Sequence, residues 1–285
     1  MSIPDVEAAY RACEHITRTE ARNFNYGIKL LPEPKRRAMS ALYALARRID
    51  DIGDGDLPAA EKLAGLAQVR KDVAALGDVV DDTDAVMVAV ADAARRYPIP
   101  TSALDELIDG CELDVLGTSY ETFEDLVGYC RRVAGTVGRL SLAVYGCGDL
   151  ERATPLADDL GVALQITNIL RDIVEDHREM GRVYLPAADR ARFGVPADLN
   201  GPPDHLVALI AFEATRAEEW YERGLRLLPM LDWRSRACTA AMAGIYRRLL
   251  LAIQRDPAAV LQRRLSLPGW QKAGVAVRAL ARGEA

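Results

Sequence analysis

Histidine is nearly absent from this 285-residue chain: His15, His177 and His205 are the only three, far apart in sequence. A zinc site built on His or Cys therefore has little to draw on. The five cysteines (Cys13, Cys111, Cys130, Cys147 and Cys238) are odd in number and contain no C-x-x-C pair. That excludes a disulfide framework and suits a reducing compartment. Residues that alternate as strands do are scarce, so nothing reads as sheet. No apolar run approaches the ~18 residues of a membrane span. Asp5 and Glu7 interrupt the start, where a signal peptide would need an apolar stretch. Net charge is −6 and no basic face stands out, which argues against nucleic acid as a partner. The expectation is a cytoplasmic protein that only a greasy ligand could bring to the inner face of the membrane.

What is abundant is helix. Ala, Leu, Arg and Glu dominate, and Pro34, Pro58, Pro100, Pro155 and Pro186 stand where helices should begin. Capping and periodicity place helices at roughly 5–19, 34–53, 59–76, 83–96, 101–117, 121–145, 152–176, 203–228, 232–255 and 258–281. The one long irregular stretch, about 177–203, carries Gly181, Pro186, Gly194, Pro196, Gly201, Pro202 and Pro203, and follows directly on a polar-striped helix. No linker composition appears, so residues 1–285 read as one all-α domain.

Two segments interrupt otherwise apolar helices with acids: Arg47-Arg48-Ile49-Asp50-Asp51-Ile52-Gly53-Asp54 and Asn168-Ile169-Leu170-Arg171-Asp172-Ile173-Val174-Glu175-Asp176. Carboxylates at i and i+4 lie on one helix face, about 5.4 Å apart along the axis. In the second segment Gln165, Asn168, Asp172 and Asp176 form a polar stripe on a helix whose remaining circumference is Leu, Val and Ile. Burying unpaired carboxylates costs several kcal/mol each, so such a stripe should line a wet or ion-filled cavity. Mg²⁺ takes oxygen ligands and binds through one or two carboxylates plus substrate phosphates. Asp50 and Asp54 facing Asn168, Asp172 and Asp176 would suit two or three such ions, with Mn²⁺ as the alternative. The pattern reads as an enzyme acting on a diphosphate ester.

Other assignments stay open at this level. Arg47, Arg171 and Arg182 suit diphosphate oxygens, but each suits a surface ion pair equally well. Tyr129, Tyr184 and Tyr246 could be core tyrosines. Gly128, Ala134, Gly135, Thr136 and Gly138 allow either close helix packing or room for a long apolar ligand.

Taken together, Arg47-x-x-Asp50-Asp51-x-x-Asp54, Tyr129-Cys130-x-x-Val133-Ala134-Gly135-Thr136-Val137-Gly138, Gln165-x-x-Asn168-Ile169-x-Arg171-Asp172-x-x-Glu175-Asp176 and Gly181-Arg182-x-Tyr184-Leu185-Pro186 resemble the squalene and phytoene synthases, which join prenyl diphosphates head to head. The resemblance implies an isoprenoid synthase fold, a helical bundle around a central cavity. It implies Asp50 and Asp54 as metal ligands on one wall, with Asn168, Asp172 and Asp176 on the other. Arg47, Arg171 and Arg182 would contact diphosphate, and Tyr129 would act near the reacting carbons. Phe24, Tyr43, Gln165, Tyr184 and Tyr246 would line the pocket. Where the family often has Ser-Phe, this chain has Asn23-Phe24-Asn25-Tyr26. Phytoene synthases usually carry Asp-Glu-x-x-Asp, whereas Asp50-Asp51-Ile52-Gly53-Asp54 looks more like the bacterial squalene route to hopanoids. The implied reaction is condensation of two farnesyl diphosphates to presqualene diphosphate without NADPH, passing product to downstream isoprenoid enzymes. The alternatives are squalene, hydroxysqualene, dehydrosqualene or phytoene as product. A non-catalytic helical scaffold could dispense with the acids that this chain retains.

Overall fold

The computed structural model describes residues 5–21, 23–77 and 83–282, so residues 1–4 of the segment read for a signal peptide, and both ends of the 1–285 range, lie outside it. The helices are α1 (Val6–Glu20), α2 (Phe24–Ile28), α3 (Glu33–Asp54), α4 (Ala59–Ala74), α5 (Ala85–Arg96), α6 (Thr101–Val115) and α7 (Phe123–Cys130). A π-helical turn, Arg131–Gly135, leads into α8 (Thr136–Tyr145), α9 (Leu150–Met180) and α10 (Ala187–Phe193). There follow α11 (Pro203–Gly224), a 3₁₀ turn at Leu225–Met230, α12 (Trp233–Arg255), α13 (Ala259–Gln262) and α14 (Gly269–Arg282). No strand occurs among the described residues. The all-α expectation holds.

Local chemistry explains the boundaries. Asp5, Asp84, Asp149 and Asp232 each accept a backbone N–H from the first turn of the helix they precede. Thr122 and Asp125 cap α7 reciprocally. Several expected helices need correction. The segment 121–145 is not one regular helix, because the π turn inserts an extra residue between α7 and α8. The stretch 258–281 breaks at 263–268 into α13 and α14. Residues 177–180 extend α9, α10 occupies part of the expected loop, and Pro155 lies inside α9. The short α2 had no periodicity long enough to announce it.

Two apolar cores meet along α9. Its first half contributes Ala153 and Ala157 to a core shared with α1, α3, α5, α6 and α8. Its second half contributes Val162, Ile166, Leu170 and Ile173 to a core shared with α11 and α12. Small residues make the central approach possible. A Cβ on Gly161 would lie 2.6 Å from the backbone of Ala134 and Gly135, so the glycines of this region serve close packing of α9 on the π turn.

Candidate active site

The last turns of α3 and the second half of α9 face each other across a cavity of about 280 Å³. Asp50, Gly53 and Asp54 line one wall, and Gln165, Asn168, Asp172 and Asp176 line the other. Cys111 and Asp114 of α6, Tyr129, Arg171, Arg182 and Tyr184 complete the lining. The two acid stripes thus converge as their spacing suggested.

The cavity's electrostatics disfavour fully ionised carboxylates. Asp50 opens onto the cavity and keeps some solvent contact, yet it is ringed by protein. That enclosure, with the like charge of Asp54, pushes its pKa up to about 7. Among the described residues its hydrogen-bond donor is the weak Sγ of Cys111, 3.6 Å away. Burial and the neighbouring Asp172 carboxylate likewise raise Asp176 to about 7. Asn168 presents a buried side-chain oxygen that has no hydrogen-bond partner among the described residues.

Arginines supply the opposite charge. Gly181 ends α9 in the left-handed conformation (φ 65°), turning the chain back so that Arg182 can reach across. There Arg182 Nη1 donates to Asp54 Oδ1 at 2.7 Å and Nη2 to the Gly53 carbonyl at 3.4 Å. Arg171 forks onto its neighbour Asp172, Nε to Oδ1 at 2.7 Å and Nη2 to Oδ2. Both guanidinium side chains are largely buried. Arg47 behaves differently: it pairs with Asp51 at 2.7 Å, one turn along α3, and does not line the cavity.

The aromatic residues fall into two groups. Phe24, Tyr43 and Tyr246 also lie outside the cavity lining and form an adjoining cluster, with Phe24 5.5 Å from Tyr246 and 6.4 Å from Tyr43 between ring centroids. Burial raises the Tyr43 phenol to about 12, and Tyr246 lies near enough to Arg171 to act on its charge, which brings this cluster beside the second acid stripe. Within the cavity Tyr129 and Tyr184 stack at 5.2 Å. Both donate to one carboxylate, Tyr129 to Asp114 Oδ2 at 2.8 Å and Tyr184 to Asp114 Oδ1 at 2.9 Å. Burial raises Asp114 and both phenols above their ordinary values.

Sequence reasoning passed over Asp114, and a signal for it existed. Asp105, Asp109 and Glu112 of α6 pair outward with Arg70. Asp114 instead continues the buried row Leu107–Cys111 at i+4 and i+7, where a carboxylate needs a reason. Arg264, on the segment after α13, was also missed; it lies against Asp172 and Glu175.

A sequence profile described as squalene/phytoene synthase matches residues 17–271. The chain belongs to that family. Its relatives include the "Phytoene synthase" of Mycobacterium tuberculosis, 50% identical over 284 residues, covering 97% of this chain and 92% of the relative. The "15-cis-phytoene synthase" of Synechococcus elongatus is 35% identical over 287 residues, covering 95% and 92%. Among solved structures, a dehydrosqualene synthase with bound ligand superposes with a TM-score of 0.88 at 28% identity, over 97% of each chain. A squalene synthase from Alicyclobacillus acidocaldarius superposes at 0.78 with 29% identity, covering 89% of this chain and 96% of that one. The fold is therefore that of the isoprenoid synthases, and family members are prenyltransferases acting on prenyl diphosphates.

The family generally uses divalent metal to bind diphosphate, and the residues here fit such an ion. The Asn168 oxygen and the carboxylates of Asp50 and Asp176 are hard oxygen donors lining one cavity. Among the described residues no three His, Cys, Asp or Glu side chains converge enough to hold an ion by themselves.

Proposed function

We propose that this single-domain chain joins two prenyl diphosphates head to head, using the cavity between α3 and α9 as its diphosphate site. The observation that carries this reading is the convergence of five oxygen-bearing side chains and two buried arginines on that cavity. Asp50 and Asp54 would hold metal from one wall, and Asn168, Asp172 and Asp176 from the other. Bound divalent ions would supply Lewis-acid withdrawal of electrons from the allylic C–O bond.

The chain's own residues do the rest. Arg171 and Arg182 would trade their carboxylate partners for diphosphate oxygens, holding the leaving group that departs with the bonding electron pair. The 2,3 double bond of the second substrate then attacks C1 of the resulting allyl cation, and loss of one proton closes a cyclopropane. Asp114 fixes Tyr129 and Tyr184 by their hydroxyls, and the rings so held would lie beside the reacting carbons. Arg47 would serve only after leaving Asp51. Phe24, Tyr43 and Tyr246 would wall the prenyl chain, with Gln165 beside its diphosphate end.

For the product, the 50% identity to a phytoene synthase across nearly the whole chain favours geranylgeranyl diphosphate and phytoene. The Asp50-Asp51-Ile52-Gly53-Asp54 motif favours the second reading, farnesyl diphosphate and presqualene diphosphate without NADPH. Purified protein with Mg²⁺ and either substrate, with and without NADPH, separates them by mass spectrometry. A C40 hydrocarbon from the C20 substrate supports the first reading. A C30 diphosphate that persists with NADPH supports the second. No consumption of either substrate overturns the enzymatic assignment.

A further inference from the structure

Helix α14 has apolar side chains on two opposite faces. Val275, Ala276 and Ala279 are buried, and α14 packs on α12. The outward face should then be polar. It carries Trp270, Ala273, Val277 and Leu280, spaced three, four and three residues apart and so aligned on one side. Trp270 is 74% exposed, Val277 67% and Leu280 37%. On α12, Leu251 is 45% exposed as well. Such a helix is expected to be covered by something that is not water.

The flank of the stripe is basic. Two hollows of about 250 and 360 Å³ lie between α12 and α14, and Arg248 and Leu251 line both. Arg278 and Arg282 border the first, and Arg255 and Trp270 the second. None of these four arginines has an acidic partner among the described residues; their neighbour Arg247 is held by Glu218. Burial and the adjacent charge of Arg278 depress the pKa of Arg248, the signature of like charges kept together with no anion between them. The chain as a whole carries a charge of −6, so this concentration of uncompensated cations is local.

We infer that the α12–α14 face docks on an anionic phospholipid bilayer. The arginines meet the headgroups, and Trp270, Val277 and Leu280 enter the interfacial layer. Charge complementarity selects this occupant. A soluble anion would satisfy the arginines but leave the apolar stripe in water. A second copy related by two-fold symmetry would lay the same arginine row against itself. An anionic bilayer answers both parts of the surface, and tryptophan among arginines is the composition of helices that lie in a membrane interface. The surface stands apart from the cavity residues, so the inference holds for either prenyl chain length.

The test is co-sedimentation of the full chain with vesicles of equimolar phosphatidylglycerol and phosphatidylcholine, against pure phosphatidylcholine. Binding is expected only to the anionic vesicles and should weaken as salt rises. The double variant Arg278→Glu/Arg282→Glu should lower partitioning at least about tenfold, given several-fold per cation near such a surface. Trp270→Ser/Val277→Ser should lower it too. Both variants should keep wild-type helicity and turnover on detergent-dispersed substrate. Anionic-vesicle binding that survives both variants overturns the assignment. So does sedimentation velocity showing a lipid-free dimer that Trp270→Ser dissociates, which would make the stripe a subunit interface.

Discussion

The guanidinium of Arg264 lies across the carboxylate of Asp172, Nε 2.8 Å from one oxygen and Nη2 3.1 Å from the other, so that Arg264 and Arg171 share both oxygens of Asp172. A side chain from the segment between α13 and α14 thus holds part of the site where the metal reading needs a cation. With Arg264 half-exposed, the pair contributes about 0.2–1 kcal/mol. Arg264→Gln should therefore tighten Mg²⁺ or Mn²⁺ binding to the substrate-free protein by up to about fivefold. Isothermal titration calorimetry checks this, and weaker or unchanged affinity would remove Arg264 as a competitor for the site.

Neutralising Asp176 or Asp50 should separate activity from stability. Each carboxylate is held against a like-charged neighbour and the protein that surrounds it. Asp176→Asn and Asp50→Asn should each raise the melting temperature of the metal-free protein at pH 8. Each should also lower turnover by roughly 10²-fold or more, the scale of losing one electrostatic contact to a transition state. Thermal scans and initial rates decide it. Near-normal turnover of either variant in Mg²⁺ would sink its ligand role.

The same two groups set a pH dependence. Their folded pKa values of about 7 stand above the ordinary 3.8, so the folded chain holds protons that the unfolded chain has already released. Their contribution to stability is fully present below 3.8 and is lost as pH rises to about 7. The melting-temperature gain of the Asp50→Asn/Asp176→Asn double variant should accordingly grow between pH 5 and 8. Metal binding near neutral pH should also release protons, giving binding enthalpies that vary with the ionisation enthalpy of the buffer. Buffer-independent enthalpies at pH 6 would contradict this.

Asp114 should act through the tyrosines it holds. Asp114→Asn keeps the volume but offers only one good acceptor to two phenols. Its effect on turnover should shrink in a Tyr129→Phe background, with a coupling of about 0.5–3 kcal/mol in the double-mutant cycle. The effect should fall on kcat more than on KM. Strict additivity would mean Asp114 works independently of Tyr129.

Gly161→Ala adds a methyl group against the backbone of the π turn, where no flexible side chain can yield. Overpacking of this kind costs about 1–3 kcal/mol. The variant should melt lower and, because α9 carries the second acid stripe, should also lose turnover. A variant as stable as wild type would show that the α9–π turn contact is looser than described.

The acid stripes were legible in the sequence because they depend on spacing within one helix, and helical geometry fixes that from the residue numbers alone. Asp50 and Asp54 share a face for the same reason that Asn168, Asp172 and Asp176 do. The partner of Arg47 was equally legible: Asp51 stands at i+4, and that local pair forms in preference to a place in the cavity lining. Asp114 was harder, since its importance comes from tyrosines on other segments, at positions 129 and 184. Arg264 is harder still, lying 92 residues from Asp172 at the break in the stretch 258–281, whose pattern reads as one continuous helix. The π turn adds a residue without disturbing composition, so helix propensity runs straight through it.

The acids at 50 and 54 hang from a helix anchored in one core, while those at 168–176 lie on the part of α9 anchored in the other. Neither half of the molecule owns a complete cavity. A chain that formed every helix but seated the two halves an ångström apart would look native by circular dichroism and still fail to gather the ions and diphosphate. Catalytic rate is thus the finer gauge of correct assembly, and a loss of rate in a distant variant is first to be read as a misplaced seam.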